Sequence, residues 1–286
     1  MGIPSEAGPR MRITRLTLPS TDVDACLAFY RDVLQLRTTG MTVHVGWSDI
    51  DIVPSSVATG SVHLAFNIPH HRFEAACAWL RQRALLLRDP LGEERFRIGG
   101  AWDADSVYFA GPHDAVLEII ARRPLALEGA SGGDFRSCEI ACVSEVGLPT
   151  DDVPALVRKL VVSTGLVPFG DVSDVFAPMG DHEGLLIVVD SRRPWFPELR
   201  RLPFANCIQV TIEGVLPGAV VVDGQGWRLA SRYARSPGNN RSTSVTSRWS
   251  SSEGMPETVI APMTPSERRR SGNPPPSDAC SAGDRP

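Results

Sequence analysis

The stretch from Ile13 to Leu36, ITRLTLPSTDVDACLAFYRDVLQL, decides the fold. Its first third alternates polar and apolar residues, which is typical of a strand with one buried face. Thr21 or Asp22 can cap a helix that begins at the next residue. Apolar residues then recur at helical spacing, at Val23, Leu27, Tyr30, Val33 and Leu34. The stretch therefore predicts a strand that runs directly into an amphipathic helix.

This strand–helix pattern occurs three times in the chain. Alternating strands at 62–66 and 144–149 each precede a helix with one apolar stripe, at 73–84 and 153–161. Further short strands follow each helix, with Gly and Pro between them, at 42–45, 49–53, 106–110, 115–120, 175–177 and 184–189. The order βαβββ, repeated, predicts an α+β protein.

Composition excludes several classes of function. A formal net charge of -4 provides no broad basic surface, so we predict neither a nucleic-acid partner nor a membrane partner. No run of about 18 apolar residues occurs, and we expect a cytoplasmic protein. The 6 cysteines are scattered and none forms a Cys-x-x-Cys pair, so we interpret them as small buried hydrophobic residues.

Three segments together carry a family resemblance. The opening stretch, with FYRDVLQL at 29–36, is followed by HLAF at 63–66 and VYFAGPHDAVLEII at 107–120. In this order they resemble the vicinal-oxygen-chelate superfamily of glyoxalases, bleomycin-resistance proteins and extradiol dioxygenases, although Gln35 replaces the usual glycine. The resemblance implies the glyoxalase/bleomycin resistance/dihydroxybiphenyl dioxygenase fold, in which paired βαβββ units curl into a half-open barrel around a small-molecule site.

The resemblance and the composition together divide the chain into three parts. Residues 11–122 are predicted to form a domain of two βαβββ units, and residues 138–213 a third, degenerate unit. Residues 214–286 are predicted to be a mostly disordered tail, because Ser, Pro and Gly dominate it from Ser236 onward. Such units pair within a chain or across a dimer, so a homodimer is possible.

The resemblance also implies where metal ligands project, from the opening and closing strands of each unit. His63 and Glu118 occupy these positions in the second unit, but Arg15 occupies the opening position in the first. A guanidinium stays protonated and has no lone pair to donate, so Arg15 cannot be a ligand. Asp51 is a possible third ligand, with Asp49 and His44 as further alternatives.

Three functions remain open at this point. In the first, which needs no cofactor, Arg15, His63 and Glu118 face one cavity and bind or convert a small anionic or vicinal-oxygen molecule. Arg15 anchors the anion, His63 donates or shuttles a proton, and Glu118 orients one of them. A purely structural alternative has Arg15 and Glu118 as an internal ion pair, with His63 as an ordinary strand residue.

The second function is that of a metal enzyme of the glyoxalase or lyase, ring-cleaving dioxygenase or fosfomycin-resistance kind. It would use Fe, Mn, Ni or Zn held by His63, Glu118 and a third ligand such as Asp51. The third function is ligand sequestration without turnover, as in bleomycin-resistance proteins. A small-molecule ligand is expected in all three.

The third unit is predicted to be chemically inert. Glu145 occupies the register of Arg15 and His63, but the closing strand at 184–189 offers only apolar side chains. His182 and Glu183 are predicted to lie on a solvated turn.

Overall fold

The computed structural model of the chain describes residues 10–214, 216 and 219–233. Within these ranges the chain forms three α-helices, α1 (Val23–Ala28), α2 (Phe73–Arg81) and α3 (Val153–Thr164). The strands are β1 (Arg12–Ser20), β2 (Arg37–Thr39), β3 (Thr42–Val45), β4 (Ser48–Pro54), β5 (His63–Asn67), β6 (Arg95–Ile98), β7 (Ala104–Ala110), β8 (Val116–Arg122), β9 (Cys142–Thr150), β10 (Phe176–Asp181), β11 (Gly184–Asp190), β12 (Ile208–Gly214), β13 (Ala219–Asp223) and β14 (Trp227–Tyr233). None of the helices within the described ranges is long and apolar enough to cross a membrane.

The first and third helices begin as the sequence predicts. The side chain of Asp22 accepts the backbone N–H of Ala25, and that of Asp152 accepts the N–H of Ala155, at 2.9 and 2.8 Å. Each aspartate thus satisfies an N–H group that has no partner within its helix. α1 continues as a turn of π-helix over Phe29–Val33.

The strands form two seven-stranded sheets. In the first sheet the order is β13-β14-β12-β1-β4-β3-β2, and in the second it is β10-β11-β9-β5-β8-β7-β6. The two halves of the first sheet meet where β1 pairs antiparallel with β12. The two halves of the second meet where β5 pairs antiparallel with β9. Each sheet therefore joins two sets of strands at their opening strands, which is the predicted α+β fold. β1–β4 with α1 and β5–β8 with α2 are complete βαβββ units, whereas β9–β11 with α3 has one strand fewer and β12–β14 has no helix among the described residues.

This pairing corrects the predicted domain boundaries. The units of residues 11–122 do not share a sheet, because the second unit pairs with the third and the first pairs with β12, β13 and β14. Residues 219–233, predicted to be part of a disordered tail, form two of those strands. Buried and more exposed residues alternate along these strands, and Val222, Trp227 and Leu229 are buried. This alternation was obscured by the bias towards Ser, Pro and Gly in the residues that follow. Residues 234–286 lie outside the described ranges.

One face of each sheet contributes to a common apolar core. Leu16 and Ile50 of the first sheet and Leu64 and Val146 of the second are fully buried there, with the helix stripes packed against them. The alternate residues of the second sheet point to its other face. There a separate apolar cluster forms, which includes Tyr108 and Ile187.

The cysteines agree only in part with the prediction. Cys26, Cys77 and Cys142 are buried, whereas Cys138 and Cys207 are exposed, and all five are free thiols. Cys280 lies outside the described ranges.

Candidate metal centre

Three ionisable side chains meet on the second sheet's outer face. His63 Nε2 lies 3.4 Å from Glu118 Oε2 and 3.5 Å from Glu145 Oε2. All three residues are buried, and one ligand atom of each lies within 4.8 Å of the others. Within the part of the chain that the structure describes, this is the only such group of three metal-ligating residues.

Strand register brings these side chains together. Ala65 on β5 lies opposite Glu118 on β8 and opposite Glu145 on β9. His63 is two residues before Ala65 and therefore points to the same face. The single methyl group of Ala65 leaves space between the two carboxylates. The site is thus assembled where the second and third units join.

In each of the three groups, the polar atom that faces away from the other two groups, here called the outward atom, forms a hydrogen bond with another part of the protein. His63 Nδ1 lies 3.1 Å from the carbonyl of Val116, which accepts its N–H. Ser106 donates to Glu118 Oε1, and Arg122 donates to Glu145 Oε1. The opposite atoms, Nε2 and the two Oε2, consequently face one another. Partners of this kind fix ligand orientation in metal sites.

The three groups repel one another unless a proton or a metal ion lies between them. Burial alone would lower the pKa of His63, but its hydrogen bonds to Glu118 and Glu145 raise it to about 9. Burial and the charge of Glu145 raise the pKa of Glu118. Because Nδ1 donates its proton to Val116, a neutral imidazole would direct the Nε2 lone pair at two carboxylates. A proton, on Nε2 or on a carboxylate, or a metal ion relieves this repulsion.

A fully buried arginine stands behind the site. The Arg122 guanidinium carbon lies 5.1 Å from the ring centre of Trp102 and 5.9 Å from that of Phe169. Its only ion pair among the described residues is with Glu145. Arg122 therefore fixes the orientation of the Glu145 carboxylate.

The fourth symmetry-related position is apolar. Ile187 on β11 lies opposite Gly147 on β9, just as Glu118 lies opposite Ala65. Ile187 therefore occupies the position in the third unit that Glu118 occupies in the second. The site thus has polar groups on three sides and an apolar side chain on the fourth, and a ligand can bind between them.

A cavity of about 470 Å³ opens above the three groups. Trp195 forms part of its wall, where its Nε1–H donates to the Ser61 carbonyl at 2.9 Å and its ring centre lies 5.3 Å from that of His63. A side chain on Gly147 would collide with Trp195, since a Cβ there would lie 2.7 Å from its ring. The aromatic residues that line the cavity are Phe96, Trp102, Tyr108, Phe176, Trp195 and Phe196. The polar floor is thus enclosed by flat, apolar walls.

The structure brings together only two of the three residues that the sequence singled out. His63 and Glu118 meet as expected, but Arg15 lies on the first sheet with a half-exposed side chain. Its Nε and Nη2 donate to Asp51 Oδ2 and Oδ1 at 2.5 and 2.9 Å. The expectation that Arg15 shares the cavity with His63 is wrong, because their strands belong to different sheets.

The alternative ligands named from the sequence lie with Arg15. Asp51 is its ion-pair partner, and Asp49 lies 3.5 Å from it. His44 Nδ1 is 2.7 Å from Asp49. None of the three reaches His63, and Glu145 takes the third place instead.

Glu145 is the candidate ligand that the sequence prediction missed. The signal was present, since Glu145 matches the register of His63. It was set aside because the third unit's closing strand is apolar, and that strand supplies only the fourth, apolar side. The predicted solvated turn is also wrong for Glu183, which is buried and forms ion pairs with Arg10 and Arg12.

Comparison with known proteins yields distant structural matches. No protein-family model matches the sequence, and no curated protein matches it. A putative dioxygenase from Bacillus subtilis is 16% identical over 79% of this chain and 86% of its own, with a TM-score of 0.49. Glyoxalase I from Zea mays is 12% identical over 78% of this chain and 92% of its own, with a TM-score of 0.45.

Matches this distant say nothing about activity, and the strand pairing carries the assignment. Both sheets join two sets of strands at their opening strands. Two of these sets, β1–β4 with α1 and β5–β8 with α2, are the βαβββ units that the sequence resemblance implies. The chain has the fold of the vicinal-oxygen-chelate superfamily.

Proposed function

We propose that this protein is a divalent-metal-dependent enzyme that acts on a small organic molecule carrying oxygens on two adjacent atoms. One observation carries the proposal: His63, Glu118 and Glu145 face a common point, while the outward atom of each is held by a separate partner. Such outer contacts have a clear purpose in a metal site, where ligand direction decides affinity.

The donor set fits a divalent transition metal. One imidazole and two carboxylates suit Fe²⁺, Mn²⁺, Ni²⁺ or Zn²⁺. The two carboxylate charges would balance a divalent ion, and His63 Nε2 would give its lone pair to that ion in place of a proton. When bound, it would supply Lewis-acid polarisation of the substrate oxygens.

The surrounding residues would bind and shield the substrate. The aromatic walls exclude water from the polar floor and accept a flat apolar group. Burial raises the pKa of Tyr108 well above its usual value, and the charge of Glu118 adds to this effect. The Tyr108 hydroxyl therefore keeps its proton and can donate a hydrogen bond to a substrate oxygen.

A second candidate is a metal-free cup that binds or sequesters an anion. It is favoured by the raised pKa of His63, because an imidazolium can fill the point between the two carboxylates. In this version the positive charge at the floor comes from His63 and not from Arg15. A cytoplasmic location and a homodimer remain predictions under either candidate.

Calorimetric titration of the chelator-treated protein with Mn²⁺, Fe²⁺, Ni²⁺ and Zn²⁺ separates the two candidates. We expect one site per chain, and at least a hundredfold weaker binding in His63→Gln and Glu118→Gln. Asp51→Asn, in the other sheet, is the matched control and should bind normally. Metal-loaded protein should then consume one class within a panel of 1,2-diones, aromatic 1,2-diols and 2-hydroxy acids. If the protein binds no metal, or if His63→Gln binds metal as tightly as the wild type, the metal-free cup is the candidate that remains.

A further inference from the structure

An arginine without a carboxylate partner lines the cavity wall. Arg193 lies three residues after the end of β11, and its guanidinium carbon is 4.6 Å from the ring centre of Phe176, which also lines the wall. It forms no ion pair with any acidic residue in the described ranges. Its neighbour Arg192 is 79% exposed and bonds both oxygens of Asp190, the nearby carboxylate, at 2.9 and 2.7 Å. Arg193 is thus left with only an aromatic neighbour.

The surroundings of Arg193 compensate its positive charge only in part. Burial lowers the pKa of Arg193, as it does for any cation taken partly out of water. The face of Phe176 offsets only part of that cost. A half-buried planar guanidinium in an aromatic wall is suited to a carboxylate, which it binds through two parallel hydrogen bonds.

The other wall arginine is a weaker candidate for this role. Arg97 lines the same cavity, but its side chain is 68% exposed and lies 4.0 Å from Asp103. Solvent and that carboxylate already compensate its charge. Arg193 is therefore the residue that lacks a counter-ion.

We infer that the substrate carries a carboxylate in addition to its vicinal oxygens, and that Arg193 binds this carboxylate in the cavity wall. The presence of vicinal oxygens in the substrate is inferred from the proposed function, whereas the presence of a carboxylate is inferred from Arg193 alone. The substrate class is then a flat, apolar acid, with its ring between the aromatic walls.

A matched pair of ligands tests the inference on the full chain loaded with Zn²⁺. The probes are 3-(3,4-dihydroxyphenyl)propanoate and its neutral amide, and quenching of Trp102 and Trp195 fluorescence reports their binding. Arg193→Gln should weaken binding of the acid at least about tenfold, as expected for loss of a charge-assisted pair, and that of the amide less than about twofold. Arg192→Gln, at the neighbouring exposed position, should change neither. Equal weakening of acid and amide by Arg193→Gln, or none, would overturn the inference.

A second probe separates this inference from the metal proposal. 3-Phenylpropanoate has a carboxylate but no vicinal oxygens, so its binding to chelator-treated protein should depend on Arg193 and not on added metal. Arg193-dependent binding in a protein that takes up no metal would support the inference and contradict only the metal proposal. Binding that ignores Arg193 in a protein with an intact metal site would overturn the inference alone.

Discussion

Arg15 and His63 occupy equivalent positions in two different sheets. Arg15 is two residues before Thr17, which lies opposite Asp51, and His63 is two residues before Ala65, which lies opposite Glu118. The sequence pattern that placed Arg15 in a ligand position was therefore correct about its register. It was wrong about the cavity, since Arg15 and His63 lie on different sheets.

The equivalence extends to the third ligand. Gln209 on β12 lies opposite Thr17, just as Glu145 lies opposite Ala65. The first sheet thus has Arg15, Asp51 and Gln209 where the second has its three candidate ligands. An ion pair between Arg15 and Asp51 occupies this face of the first sheet.

The first prediction is that a second metal site can be built there. The triple variant Arg15→His, Asp51→Glu and Gln209→Glu restores an imidazole and two carboxylates at equivalent positions. Because Arg15 and Gln209 are exposed, the fold should tolerate the changes. Calorimetry should find two metal ions per chain. Arg15→His alone should bind one, and a triple variant that also binds one would argue against the equivalence.

The second prediction concerns Arg122 as a positioning residue. Arg122→Gln removes the donor that orients Glu145, so metal affinity should fall about 10- to 100-fold. Arg123→Gln, whose partners are Asp103 and Asp105, is the control and should leave the affinity unchanged. Thermal melts of the metal-free variants distinguish lost orientation from lost stability. A folded Arg122→Gln protein with normal affinity would exclude this role.

The third prediction concerns the apolar fourth side. Ile187→Glu places a carboxylate at the position that corresponds to Glu118, in a buried setting. The metal-free variant should be less stable than the wild type, because a buried charge without a partner is costly. Added Zn²⁺ should reverse the loss, and thermal melts with and without the ion measure both effects. Destabilisation that Zn²⁺ does not relieve would mean that Ile187 does not face the site.

The fourth prediction is a pH dependence of stability. Arg72 donates to Glu139 at 2.6 and 3.2 Å, and this buried pair ties α2 to the segment that precedes β9. Glu139→Gln should lower the free energy of unfolding by about 3 kcal/mol at neutral pH, because Arg72 loses its counter-ion.

The sign of that pH dependence follows from the pKa of Glu139. Burial alone would raise this pKa, but hydrogen bonds from Arg72 and from the Arg136 backbone lower it below 4.5. The Arg72–Glu139 pair stabilises the fold fully above pH 4.5. This stabilisation disappears as the pH falls through the lower pKa that Glu139 has in the folded state. Denaturant unfolding of wild type and Glu139→Gln should therefore converge in acid. A constant difference down to pH 3 would contradict the assignment.

Local features of this fold were predictable from sequence, but the pairing of its units was not. The strand–helix pattern at Ile13–Leu36 and the helix cap depend on neighbouring residues, and both were predicted, the cap as Thr21 or Asp22. Whether β5 pairs with β1 or with β9 depends on contacts between residues far apart in the chain. Alternation within a strand carries no information about its partner.

The same limit explains what was missed at the site. His63 and Glu118 belong to one unit, so their meeting follows from the pattern of that unit. Glu145 joins them only because β9 lies beside β5, and Arg15 is excluded because β1 does not. The hydrogen-bond donors to the two carboxylates, Arg122 and Ser106, come from strand positions that no motif marks.

The central claim is that His63, Glu118 and Glu145 hold one divalent ion. Anomalous diffraction from crystals of the full chain grown with Zn²⁺, collected on both sides of the zinc absorption edge, tests it most directly. The account predicts one strong peak between His63 Nε2 and the two Oε2 atoms, and no peak there in His63→Gln. A wild-type crystal with that position empty, or with zinc bound only elsewhere, would contradict it.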